Sequence, residues 1–321
     1  MGKKRLLISV GAVIALLVLC IGAYTLGKNS TSDSAKAAAS AQEKAKDYNL
    51  LAKRLFTEDP NDSWVNFSTL RKEINDYYKN NNLAGSIYFE FLPTGTSIRV
   101  NGDEEQVAAS LIKLPAAMDL YKAAELGKVN LDDSVTLQQD WLDSQYGELY
   151  KKGAGYTLTL REAVKIMLEQ SDYTALKAVS SKLSNQLASD QNVFASLDMD
   201  FVQNQDLTVS IGARSYSSTL KCLYFACFNT KKDSQELLGY LTKSNFNSRI
   251  VAGVADKSFP IAHKIGTNFN KTQSDCGIVY YPKRNYVLCA MIQGPESAES
   301  DKHISEISKI VYQFIENIKT N

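Results

Sequence analysis

Histidine is nearly missing from this chain: the 321 residues hold two, His263 and His303. No His/Cys cluster has the spacing of a zinc site, so the reading is of a protein without a metal or cofactor. Net charge is also small, +1 overall. The first 60 residues hold 9 Lys/Arg against 5 Asp/Glu, leaving 27 against 30 in the remainder. That slightly acidic remainder lacks the basic surface a nucleic-acid partner needs. Long apolar runs are absent except for one at the N-terminus, and Asp198 to Ser218 contains no glutamate at all.

The apolar run is Leu6 to Leu26, 21 residues without a charge, preceded by Lys3, Lys4 and Arg5. At about 1.5 Å per residue it is long enough to cross a hydrocarbon layer of roughly 30 Å. The basic flank stays inside, so the bulk of the chain is expected outside, as a single-pass protein of the cell membrane. A cleaved signal peptide competes with this reading, but the run exceeds a typical h-region. Residues 1–27 therefore read as a membrane anchor. Residues 28–60, rich in Ser, Ala, Lys and Asp and closed by Asp59-Pro60, read as a polar helical stalk, and 61–321 as the folded domain.

Within that domain a helix is expected from Trp64 to about Tyr78. Ser86 to Leu92 and Ser97 to Asn101 alternate as strands around Pro93-Thr-Gly95. A long helical middle follows, from Ser110 to about Ser248. Strand patterns return at Ile261–Gly266, Cys276–Tyr281 and Tyr286–Gln293, and Ser300–Ile318 repeats apolar residues at helical spacing. Strands at both ends with helices between imply an α+β fold: one antiparallel sheet built from the two termini, flanked by helices, with an all-helical lobe inserted. Cys222 and Cys227 fall on different sides of a helix. A turn at Pro282–Asn285 would set Cys289 opposite Ile278, only diagonal to Cys276. Free buried thiols are thus expected at all four.

The chemistry resides in three ordered motifs: Ser110-Leu-Ile-Lys113, Ser171-Asp172-Tyr173 and Lys264-Ile265-Gly266-Thr267. Ser218-Thr-Leu-Lys221 is a second copy of the first. A serine hydroxyl needs a base to act as a nucleophile. On a helix, Ser110 and Lys113 at i, i+3 share a face, so the amine reaches the hydroxyl. Burial and a second cation, for which Lys264 is placed, would lower the amine's pKa into a useful range. Ser171 suits a proton relay to the leaving amine, with Asp172 anchoring its turn. Arg249 and Arg214 read equally as carboxylate binders or as structural ion pairs.

From about Ser86 onward, this set resembles the S-x-x-K, S-D-N and K-T-G signature of the serine β-lactamase and penicillin-binding (DD-peptidase) superfamily, with a class A-like motif order. The resemblance implies a β-lactamase/DD-peptidase-like fold with catalytic Ser110, Lys113, Ser171 and Lys264. It implies an oxyanion hole from the backbone N–H groups of Ser110 and Thr267, and substrate contacts from Tyr173, Gly266 and Thr267. Three departures stand out. Tyr173 replaces the usual Asn, Ile265 replaces the usual Thr or Ser, and the glutamate-free stretch lacks the Glu-x-x-x-Asn loop that holds the deacylating water of class A enzymes. A base worth about 10²–10⁴ in rate is missing from its expected place, so the acyl-enzyme should be long-lived. The resulting expectation is a membrane-anchored extracytoplasmic serine hydrolase or acyltransferase of Gram-positive type. It would act on peptidoglycan peptide as a DD-carboxypeptidase does, or bind β-lactams. The alternatives are a β-lactamase with atypical deacylation and a noncatalytic peptidoglycan-binding module.

Overall fold

Eight-residue strands rich in β-branched and aromatic residues carry the architecture of the computed structural model. It describes residues 65–318 apart from 184, 185, 189, 207, 270 and 295. The expected anchor (1–27), stalk (28–60) and first residues of the folded domain lie outside the described residues. No helix among the described residues is long and apolar enough to cross a membrane.

Helix α1 (Ser68–Asn80) precedes the hairpin of β1 (Ala84–Phe91) and β2 (Thr96–Val100). Near the C-terminus come β8 (Ile261–Asn268), β9 (Thr272–Val279), β10 (Tyr286–Gln293) and the long α9 (Ser297–Glu316). The sheet runs β2-β1-β10-β9-β8, antiparallel throughout. The N-terminal hairpin thus joins the C-terminal meander through β1 and β10, the union of termini expected from the strand pattern.

The inserted lobe is not all-helical. It contains α2 (Lys113–Glu125), α3 (Leu160–Glu169), α4 (Tyr173–Leu183), the short α5 (Val193–Ser196), α6 (Ala213–Phe225) and α7 (Lys231–Leu241). A one-turn α8 (Ile250–Gly253) follows. Two small ladders interrupt the helices: β4 (Ser134–Thr136) with β5 (Thr157–Thr159), and β3 (Glu105–Val107) with β7 (Val209–Gly212) and β6 (Val202–Gln203). Their short Thr- and Val-rich alternations suit a pleat better than a helix.

The cysteine expectation is overturned. The loop between β9 and β10 runs from Tyr280 to Asn285, with Lys283 left-handed at φ 62°, so Tyr286 pairs with Val279. Relative to a four-residue turn this shifts the register by two, which keeps every side chain on its face. Cys276 then stands directly opposite Cys289, 3.9 Å between Cα atoms, and the two form a disulfide. Cys222 and Cys227 are also bridged. Helix α6 stops at Phe225, Ala226 turns left-handed (φ 50°), and the Cys227 N–H returns to the Cys222 carbonyl at 2.9 Å. The helix assumed to separate the two sulfurs ends between them.

Two cores sandwich the sheet. On one face Tyr88, Cys276, Ile278, Val287, Cys289 and Met291 pack against the lobe through Leu111, Leu114 and Met118. On the other, Phe89, Leu288, Ala290 and Ile292 meet Leu70 and Ile74 of α1 and Ile304, Ile307, Val311 and Ile315 of α9. Both faces of β10 are therefore apolar, β9 places Gln273 and Asp275 on buried polar partners, and the turn that carries Ser110 lies against the edge strand β8.

Candidate active site

Ser110 lies in a 3-10 turn, Ala109–Ile112, just before α2. Ala109 is left-handed at φ 46°, a conformation sparsely used by residues other than glycine. Sequence spacing placed Ser110 and Lys113 on one α-helical face; in a 3-10 turn residues i and i+3 eclipse, which brings them closer still. Lys113 Nζ donates to Ser110 Oγ at 2.9 Å. It also donates to the Ser171 carbonyl at 2.5 Å and to Ser171 Oγ at 3.3 Å.

Lys113 has no solvent exposure, and this burial lowers its pKa to about 7 against the opposing pull of Asp172 and Asp143. The cation expected to lower it, Lys264, is the partner that yields. Lys264 is held well below the ordinary lysine range by burial first, then by the charges of Lys113 and Arg249. Its Nζ donates to Ser171 Oγ at 2.8 Å. One hydroxyl thus links both amines.

Ser171 owes its position to a break between helices. After α3 it takes φ 56°, and Asp172 then caps α4 by accepting the Ala175 N–H at Oδ1, 2.8 Å. Its Oδ2 accepts the Leu149 N–H at 2.9 Å, pinning the loop that contains Gly147. Asp172, expected as the anchor of the Ser171 turn, also caps the following helix with the same carboxylate.

The third motif approaches through its glycine. A Cβ on Gly266 would stand 2.7 Å from the Ala108 carbonyl oxygen and 3.0 Å from Leu111, so only glycine lets β8 lie this close to the segment that bears Ser110. The Thr267 hydroxyl accepts from Arg249 Nη2 at 2.9 Å. Arg249 uses all five of its donors: on Asp301, the Gly266 and Ser274 carbonyls, Thr267 and Gln273. It is a buried clamp on the motif. Arg214 is an exposed partner of Asp103. Lys221, of the second S-x-x-K copy, pairs with Glu90.

Against known proteins, a model of the β-lactamase enzyme family matches residues 69–315. The chain belongs to the β-lactamase enzyme family. Its fold is shared by PBP-A, 25% identical over 78% of this chain and 97% of that one, with a TM-score of 0.70. A mutant of PBP-A, solved as an acyl-enzyme complex with penicillin G, is 24% identical at the same coverage and TM-score. A β-lactamase from Sphaerobacter thermophilus DSM 20745 is 20% identical over 79% of this chain and 100% of that one, TM-score 0.71. No curated protein matches the chain.

This β-lactamase-family serine hydrolase departs from the familiar site in three places. Asp198, Asp200 and Asp206 are all exposed, on a segment that folds into the β6–β7 hairpin, where Asp206 is engaged by Thr208. Ile265 is buried and its side chain offers no hydroxyl. Tyr173 lays its ring over Lys113, 3.7 Å from Nζ to the centroid. Among the described residues no group of His, Cys, Asp or Glu is arranged to hold a metal.

Several residues around the enzyme's site escaped the sequence reading. Tyr146, on the loop pinned by Asp172, lies 6.3 Å from the Tyr173 ring and stacks on Phe269 at 6.0 Å. His263, one residue before Lys264 and therefore on the opposite face of β8, is bound to Asp275 at 2.9 Å. Asp275 also accepts the Ile250 N–H, which fixes the backbone next to Arg249. No motif marks these residues; their partners are far away in sequence.

Proposed function

We propose that the enzyme forms an acyl-enzyme at Ser110 from cell-wall peptide ends or β-lactams, as a DD-peptidase does. The observation that carries this is the buried chain Ser110–Lys113–Ser171–Lys264, in which each neighbouring pair is within hydrogen-bond distance. Neutral Lys113 accepts the Ser110 proton as Oγ attacks the carbonyl carbon. The backbone N–H groups of Ser110 and Thr267 receive the developing oxyanion. The proton passes by way of Ser171 to the departing nitrogen, whose bond to the acyl carbon breaks. Lys264, donating to Ser171 Oγ, holds that relay in place on the leaving side, and Tyr173, Gly266 and Thr267 border the acyl group.

The charge-bearing carboxylates of 198–218 lie at the surface, so hydrolysis of the ester lacks the base its β-lactamase relatives are read to use, and the adduct persists. The structure of a PBP-A mutant as a penicillin G acyl-enzyme fits this behaviour. The uncharged run Leu6–Leu26 behind Lys3, Lys4 and Arg5 supports a membrane tether with the catalytic part outside a Gram-positive cell.

The test is to incubate the full-length protein with benzylpenicillin and follow intact mass for hours beside Ser110→Ala. The expected result is a persistent adduct, absent from the variant. A transient adduct with antibiotic loss would instead make the protein a β-lactamase with a different deacylating group. An unmodified Ser110 toward both penicillin and a fluorophosphonate would leave a binding module.

A further inference from the structure

Four aromatic rings lead outward from the proposed base. Tyr173 covers Lys113 at 3.7 Å, and Tyr146 follows at 6.3 Å. Phe269 stacks on Tyr146 at 6.0 Å with 13° between planes, and Phe246 meets Tyr146 edge-on at 6.4 Å and 63°. The rings come from separate segments: the loop after β4, the start of α4, the loop between α7 and α8, and the turn after β8. None of the four belongs to either hydrophobic core. Phe269 is 54% exposed, an apolar cost that core packing does not repay.

The row begins at the catalytic lysine and ends in solvent, so it borders the path by which an acyl donor reaches Ser110. At its inner end a π face stands where the family signature has an amide. The Lys113 amine lies against that face, 3.7 Å from the ring centroid, and this packing fixes the ring's orientation. An amide side chain would recognise a donor's polar acylamino group; a row of rings recognises a flat apolar one.

We propose that Tyr173, Tyr146, Phe246 and Phe269 form an aromatic subsite that selects acyl donors bearing an aromatic acyl group. The inference rests on the Ser110 acyl-enzyme reading. With an aryl ester as probe, the Ser110 Oγ to acyl-carbon bond forms, the acyl-carbon to phenolate bond breaks, and the Ser110 proton passes to Lys113.

The test measures acylation of the full-length protein by p-nitrophenyl phenylacetate and p-nitrophenyl acetate, from the burst of nitrophenolate. Each rate is divided by the ester's own hydroxide-catalysed rate. The normalised ratio should favour phenylacetyl roughly ten-fold. It should fall toward one in Phe269→Ala and in Tyr173→Asn, and stay intermediate in Phe269→Leu, which keeps bulk without the ring. Fluorophosphonate labelling of each variant confirms an intact nucleophile. A ratio near one in the unmodified protein, or one that neither variant moves, overturns the subsite while labelled Ser110 leaves the acyl-enzyme reading standing. Absence of labelling in the unmodified protein overturns both.

Discussion

Lys113 carries opposing demands. As the proposed base it must be neutral, and burial supplies this by lowering its pKa to about 7. Below that value the neutral fraction falls ten-fold per pH unit, so the rate of Ser110 acylation should rise through an inflection near pH 7 and level off above it. Stopped-time mass spectrometry with penicillin between pH 5 and 9 measures this; a flat profile would remove Lys113 from the role. The cost appears in stability. The unfolded chain holds the lysine proton up to about 10.5 and the folded chain releases it near 7, so between those values the unfolded state binds more protons and stability rises with pH. Below pH 7 the whole penalty of a buried cation is present. Lys113→Met should therefore abolish acylation yet stabilise the fold by about 1–4 kcal/mol at pH 6, a gain that fades toward pH 10. Thermal unfolding at the two pH values checks it.

At the scale of elements, one carboxylate joins a helix to a loop. Asp172 caps α4 and holds the Leu149 N–H, while Gly147 takes φ +81° directly against it. A Cβ there would lie 2.0 Å from Asp172 Oδ2 and 2.5 Å from its Cβ. Gly147→Ala should cost roughly 2 kcal/mol or more, through both left-handed strain and displacement of Asp172, and should slow penicillin acylation by moving Ser171 off the two lysines. A variant with unchanged melting temperature and adduct rate would disprove the coupling. This joint also explains what was readable in advance. Ser110 with Lys113, and Asp172 with Ala175, interact over three residues, and such spacing is written in the sequence. That one antiparallel sheet unites strands from both ends of the domain followed from the strand patterns at Ser86–Leu92, Ile261–Gly266 and Tyr286–Gln293; the order of its strands did not. The disulfide between Cys276 and Cys289 did not, because it depends on a loop of six residues in place of four, and nothing in Tyr280–Asn285 distinguishes them. The aromatic row was hidden for a related reason: Tyr146, Tyr173, Phe246 and Phe269 have no common period and meet only when the lobe folds onto β8.

For the molecule as a whole, the groups of the candidate site depend on a sheet whose strands come from opposite ends of the described chain. β1 lies against β10, and Lys264 reaches Ser171 only if β8 holds the edge of that sheet. The face away from the lobe is covered by α1 and α9, and α9 repeats Ile304, Ile307, Val311 and Ile315 at helical spacing, all without exposure. At about 1.5–3 kcal/mol for each fully buried aliphatic side chain, these four together are worth roughly 6–12 kcal/mol, comparable to the total stability of an ordinary domain. Their loss would also uncover Leu288, Ala290 and Ile292 on the strand that joins the two halves of the sheet. Arg249 would lose Asp301, so its clamp on Thr267 would be left with a buried, partly unpaired charge. A chain ending at Gln293 should consequently show no cooperative thermal transition and no fluorophosphonate labelling of Ser110, although every residue of the three motifs is still present. If such a chain melted cooperatively and took the label, the site would be held by the lobe alone, and the sheet would be dispensable to the chemistry.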